Sequence, residues 1–149
     1  MQLLVIVLLV LALDQGTKYL VVSIFTQGQS IPLITNIFHL TYVKNPGAAF
    51  GLLAHKTSFF IGITVLVTLV ILFIYRKVSP EQKLLRYGLA LQLGGALGNL
   101  IDRVRTGLVV DFFDFRIWPV FNFADVAIVV GVALLAFELL IDSEDGKEV

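Results

Sequence analysis

Between Thr57 and Tyr75 the chain carries nineteen consecutive residues with no formal charge (TSFFIGITVLVTLVILFIY), and this run limits the possible folds more than any other feature. As a helix it extends roughly 28 Å at about 1.5 Å per residue, close to the thickness of one hydrocarbon core. Burying such a helix on all sides takes a large soluble core. The chain has 149 residues, 58% hydrophobic and 15% charged, where soluble domains average about 45–50% and about 25%. The run is read as a transmembrane helix over 57–75.

Two further stretches are long enough to cross, 84–101 and 121–141, the latter interrupted by Asp125 and Glu138. At the N-terminus, Leu3 to Leu13 is wholly apolar, breaks at Asp14-Gln15-Gly16-Thr17-Lys18 and resumes over 19–25. A cleaved secretory signal needs a basic start, and no Lys or Arg precedes position 18. A spanning helix over 2–25 is the better reading, with Asp14 and Lys18 paired at i and i+4 to lower the cost of charge at membrane depth. The expected fold class is an all-α membrane protein: four transmembrane helices, a small extracytoplasmic β-like segment, and one integral membrane domain over 1–149.

Orientation follows from basic residues. Arg76, Lys77, Lys83 and Arg86 crowd around the short loop 76–83, which puts that loop and both termini in the cytoplasm and segments 26–56 and 102–120 outside. Arg103, Arg105 and Arg116 oppose that vote, but they alternate with Asp102, Asp111 and Asp114, a mixture that suits a site better than an orientation signal. Within 26–56, Ser30–Leu33 and Ile37–Val43 read as short strands bounded by Gly28 and Asn45-Pro46-Gly47. This segment is expected to form a flap or platform over the site. The rings of Phe112, Phe113, Phe115, Trp118, Phe121 and Phe123 place their segment at headgroup level.

Composition removes several chemistries. There is no cysteine, and His39 and His55 are the only histidines, neither in a ligand-spaced motif, so no thiol nucleophile, metal site or cofactor is expected. A formal net charge of +0 offers nothing to nucleic acid.

What remains are polar residues near the outer ends of the spans: Asp14 and Lys18, Asn99 and Asp102, Asn122 and Asp125. Gly94 and Gly98 form a GxxxG step suited to close helix packing, while Asn99, Asp102 and Arg103 share a helix face, as a site or as an interfacial ion pair. Asp111 and Asp125 sit among aromatic and aliphatic neighbours. Facing each other, two such carboxylates share a proton and can activate water, one as base and the other polarising a carbonyl. The spacing alone leaves Asp125 open to a helix N-terminal role and Asp111 to a loop ion pair with Arg103 or Arg116, with Asp114 as its rival.

In five ordered blocks the chain resembles lipoprotein signal peptidase, the bacterial signal peptidase II family: Asp14–Lys18, Asn45–Gly51, Gly94–Arg103, Val109–Phe112 and Phe121–Asp125. The resemblance implies an intramembrane aspartyl protease that cuts prolipoproteins before a diacylglyceryl-modified cysteine, with Asp111 and Asp125 as the catalytic dyad. It implies supporting roles for Asn99, Arg103, Asn122, Asp14, Lys18 and Asn45, and Asp102 joins them from its shared face. Lys44 departs from the Arg expected before Asn45. The implied partners are the prolipoprotein signal peptide and membrane lipid, with the chain acting as a monomer in the bacterial inner membrane. Three other readings compete. A proton-coupled transporter predicts acidic residues through the membrane depth or in repeated halves, and neither pattern is present. Ser23 and Lys18, as a Ser-Lys hydrolase, lie five apart on poorly aligned helix faces. A purely structural scaffold leaves the clustered polar blocks unexplained.

Overall fold

The computed structural model describes residues 2–47 and 56–145. Its elements in chain order are α1 (Gln2–Ile24), β1 (Ser30–Ile34), β2 (Phe38–Asn45), α2 (Thr57–Lys77), α3 (Lys83–Thr106), β3 (Val109–Asp114) and α4 (Phe123–Asp145). The second half of the Asn45–Gly51 block, from Ala48, lies outside the described residues.

Helix α3 is the axis of the bundle, packed against α1, α2 and α4. Small residues make this possible. A Cβ on Gly88 would lie 2.7 Å from the Gly131 carbonyl oxygen of α4, and one on Gly94 would lie 2.8 Å from Val10 Cβ of α1. On Gly95 it would overlap the Ala124 carbonyl. The expected packing role of Gly94 is met on the α1 side, while Gly88 and Gly95, two turns apart, form a second seam toward α4. The outer helices turn large apolar side chains outward, including Leu9, Leu13, Leu66, Phe73, Val129 and Leu139.

Among the described residues three helices, Gln2–Ile24, Thr57–Lys77 and Phe123–Ile141, are long and apolar enough to cross a membrane. Stretch 84–101 is helical as expected, and α3 continues past 101 to Thr106, so Asp102 and Arg103 are helical too. Gly107 stops it: with φ +79° it adopts the left-handed conformation, and its N–H closes on the Arg103 carbonyl at 2.9 Å.

Two strands were expected and three form among the described residues. β1, β2 and β3 make an antiparallel sheet in that order, with Ser30 opposite Thr41, and Val43 opposite Asp111. Tyr42 and Phe112 bury against Val21 of α1, fastening the sheet to one end of the bundle. Most of the aromatic segment packs on protein: Phe115 stacks on Phe121 at 5.9 Å and lies 4.8 Å from Phe38, and Phe113 meets Phe123 edge-on at 4.9 Å. Ile117 and Trp118 stay largely exposed at the tip of the following loop.

Candidate active site

Two elements that end near each other deliver the two carboxylates. The chain turns at Gly107 straight into β3, whose pairing with β2 sets Asp111 beside Asn45. The Asn45 amide donates to Asp111 Oδ2 at 2.9 Å. Asp125 lies in the first turn of α4. Its backbone N–H donates to Asn122 Oδ1 at 3.1 Å while the Asn122 N–H donates back to Asp125 Oδ2 at 3.2 Å, a reciprocal cap that explains why the helix starts here. Asp125 thus fills the helix N-terminal role and faces the site as well.

Asn122 joins the two. Completely buried, its amide nitrogen donates to Asp111 Oδ1 at 2.6 Å and to Asn99 Oδ1 at 3.1 Å, and Asn99 in turn donates to Asp125 Oδ1 at 2.8 Å. Asp111 and Asp125 line one cavity of about 390 Å³ together with Asn45, Asn99 and Arg103. Another wall is Ile63 and Val67 of α2 with Ile128 of α4, all apolar, and Thr64, whose hydroxyl is bonded back to the Phe60 carbonyl.

Burial pushes the Asp111 carboxyl up, and the charge of Asp125 adds to this, against the pull of the Asn45 and Asn122 hydrogen bonds and of Lys18; the result is about 7 in place of 3.8. Its rival Asp114 behaves oppositely. Burial raises it, but hydrogen bonds from Thr41 and Arg116 and the Arg116 charge outweigh that and hold it below the usual range. Asp114 is anchored to Arg116 at 3.0 Å and does not line the cavity. A proton shared at neutral pH requires the first environment, not the second.

Behind the cavity lies a buried ionic cluster. Lys18 Nζ is 2.8 Å from Asp14, 3.0 Å from Asp102 and 3.0 Å from Asn99 Oδ1, so its three donors are all used. Asp14 Oδ1 also accepts the Ala124 N–H at 3.0 Å, and Asp102 Oδ2 accepts the Val110 N–H at 3.1 Å. These bonds tie α1 to α4 at the residue before Asp125 and α3 to β3 at the residue before Asp111. Gln15 was not singled out from the sequence, yet its amide bonds Asp14, the Gly98 carbonyl and Asp102 at 3.0–3.2 Å. Its place between Asp14 and Lys18 was the available signal.

Arg103 pairs with no carboxylate among the described residues; its guanidinium donates to the Gly47 carbonyl at 3.2 Å and lies 5.0 Å over the Phe60 ring. Asp102, expected to share its face, turns to Lys18. Ser23 Oγ bonds the Leu20 carbonyl, away from Lys18, so a Ser-Lys pair does not form. Lys44 is exposed. No group of three or more His, Cys, Asp and Glu able to hold a metal occurs among the described residues.

The signal peptidase (SPase) II family profile matches residues 6–141. The lipoprotein signal peptidase of Moorella thermoacetica is 59% identical over 99% of both chains, and that of Pelotomaculum thermopropionicum 56% identical over 99% of this chain and 97% of the other. A bacterial membrane enzyme solved by the in meso method at 2.3 Å resolution superposes with a TM-score of 0.93 at 36% identity, covering 99% of this chain and 93% of that one. A second, at 1.9 Å, gives 0.86 at 34% identity over 99% and 94%.

Proposed function

The chain belongs to the signal peptidase II family, and from that premise we propose that Asp111 and Asp125 are the dyad with which it cuts its substrates. The protein is an aspartic-type peptidase that removes signal peptides from prolipoproteins. One observation carries the assignment of the dyad: two carboxylates from different elements line one cavity, with Asn122 bonded to both.

In the resting site the pair holds one proton. A water between the carboxylates gives a proton to the ionised one as its oxygen attacks the scissile carbonyl, while the protonated one donates a hydrogen bond to the carbonyl oxygen. The tetrahedral intermediate collapses with cleavage of the C–N bond. The leaving nitrogen takes a proton from the dyad and becomes the new amino terminus of the cysteine, and the signal peptide leaves as a carboxylic acid. Asn45, Asn99 and Asn122 fix the carboxylate orientations; Asp14, Lys18 and Asp102 hold α1, α3, α4 and β3 in register behind them. Arg103 borders the cavity beside Gly47, where it can bind a substrate carbonyl.

We place α3 as a fourth crossing. Its Asn99 and Asp102 are buried where it packs on α1, α2 and α4, and its exposed Lys83 and Arg105 stand at its two ends, so lipid meets little charge along its middle. The basic loop 76–83 and both termini then lie in the cytoplasm of a bacterium, and the sheet and dyad at the extracytoplasmic face of the inner membrane. There a signal helix and water can both reach the site. The substrate carries a diacylglyceryl group on the cysteine after the cut, and one copy of the chain suffices.

Purified enzyme acting on a lipidated prolipoprotein, read by gel shift, tests the assignment. Asp111→Asn and Asp125→Asn should each lose about 10²–10⁴-fold in turnover. Near-normal turnover by either variant overturns the dyad; cleavage of only the unlipidated substrate overturns the substrate class.

A further inference from the structure

A second groove meets the catalytic cavity at Asp125. About 350 Å³ in volume, it runs along the outer face of α4 and is lined by Val126, Val129 and Val130 below Trp118, Phe121 and Asp125. The last three residues also line the catalytic cavity. The valines stand at i, i+3 and i+4 and form one stripe of the helix, with Val129 66% and Val130 44% exposed.

Resting on the peptidase reading above, the substrate's own chemistry says what such a groove is for. Two apolar appendages leave the scissile bond: the signal helix on its N-terminal side, and the acyl chains carried through the cysteine sulfur on the other. Both must descend from one point into hydrocarbon. The catalytic cavity offers Asn45, Asn99 and Arg103, groups that bind peptide backbone. Below Asp125 the groove offers hydrocarbon alone. We propose that the Val126–Val129–Val130 groove takes an acyl chain of the diacylglyceryl group on the substrate cysteine, leaving the catalytic cavity to the peptide.

Lipid tails are as apolar as these valines, so moving a chain from bilayer to groove gains little transfer energy. The groove acts by orientation. A chain seated there fixes the sulfur and, through it, the carbonyl to be attacked, so the effect falls on kcat.

The test uses lipopeptides of one sequence carrying either S-dipalmitoylglyceryl or S-dibutyrylglyceryl cysteine. Val129→Trp fills the groove from an exposed position and should lower the ratio of long-chain to short-chain kcat by about tenfold. Leu139→Trp, at the far end of the same helix, should leave the ratio as in the wild type. An unchanged ratio in Val129→Trp overturns the proposal. A mid-chain diazirine on the dipalmitoyl substrate should label α4 at 126–130; labelling confined to α1 or α2 overturns it independently. The peptidase reading is checked in the same assay: it fails, and the groove with it, if the wild type leaves the dipalmitoyl substrate uncut or Asp125→Asn cuts it equally fast.

Discussion

Asp111→Asn should kill the enzyme and, at alkaline pH, stabilise it. The carboxyl takes its proton near pH 7 when folded and near 3.8 when unfolded. Below pH 3.8 both states are protonated and the site contributes nothing. As pH rises from 3.8 to 7 the unfolded chain releases a proton that the folded protein keeps, so stability falls through this window and stays low above it. At about 1.4 kcal/mol per tenfold change in proton affinity, the full loss is roughly 4 kcal/mol. Asparagine does not titrate, but it has one acceptor oxygen for the two amide donors of Asn45 and Asn122. The unmade hydrogen bond costs about 1–3 kcal/mol at every pH. The variant should therefore be less stable than the wild type at pH 4 and more stable, by about 1–3 kcal/mol, at pH 8. At about 2–4 °C per kcal/mol for a chain of this size, the difference in Tm should swing by roughly 10 °C between the two pH values. Thermal unfolding in one detergent across that range measures it. The missing hydrogen bond cancels in the comparison, so a Tm difference that does not change with pH refutes the environment assigned to Asp111.

Three further outcomes follow from the same geometry. Turnover should give a bell-shaped pH profile whose alkaline limb falls as the Asp111 proton is lost around pH 7, and a rate flat from pH 5 to 9 excludes a shared proton. Lys18→Met strips Asp14 and Asp102 of their common cation, and leaving buried carboxylates unpaired should cost about 3–5 kcal/mol of stability in denaturant or thermal titration; a loss below 1 kcal/mol contradicts the cluster. Gly95→Leu drives a side chain into the Ala124 carbonyl and should separate α3 from α4, lowering Tm and activity together; Gly16→Leu, where a Cβ meets nothing within 4 Å, serves as the benign control.

The helices were legible because apolar length is a local property. The run 57–75 announces α2 before any neighbour is known, and the pairing of Asp14 with Lys18 follows from helical spacing alone. β3 was less legible. Val109–Asp114 reads as an aromatic segment near headgroups until β2 is laid beside it, because a strand's partner is not written in its own residues. Gln15 was missed for a similar reason: its three acceptors lie on α1 itself and across on α3.

The site divides along the same line. Residue types and their order already brought Asp111 and Asp125 forward, since ionisable groups beside a bilayer are expensive enough to mark themselves. Spacing could not separate Asp111 from Asp114, three residues away on the same strand. The tertiary structure parts them by environment: one buried against Asn45, Asn122 and the charge of Asp125, the other neutralised by Arg116 at the sheet's edge. Proton affinity depends on the surrounding dielectric and charges, and for Asp111 residues as distant in the chain as Lys18 and Asn45 contribute to them, whereas the Arg116 that holds Asp114 is two residues away. The sequence alone determined which parts of this protein can enter a membrane; the packing of α3, β3 and α4 decided which carboxylate keeps a proton.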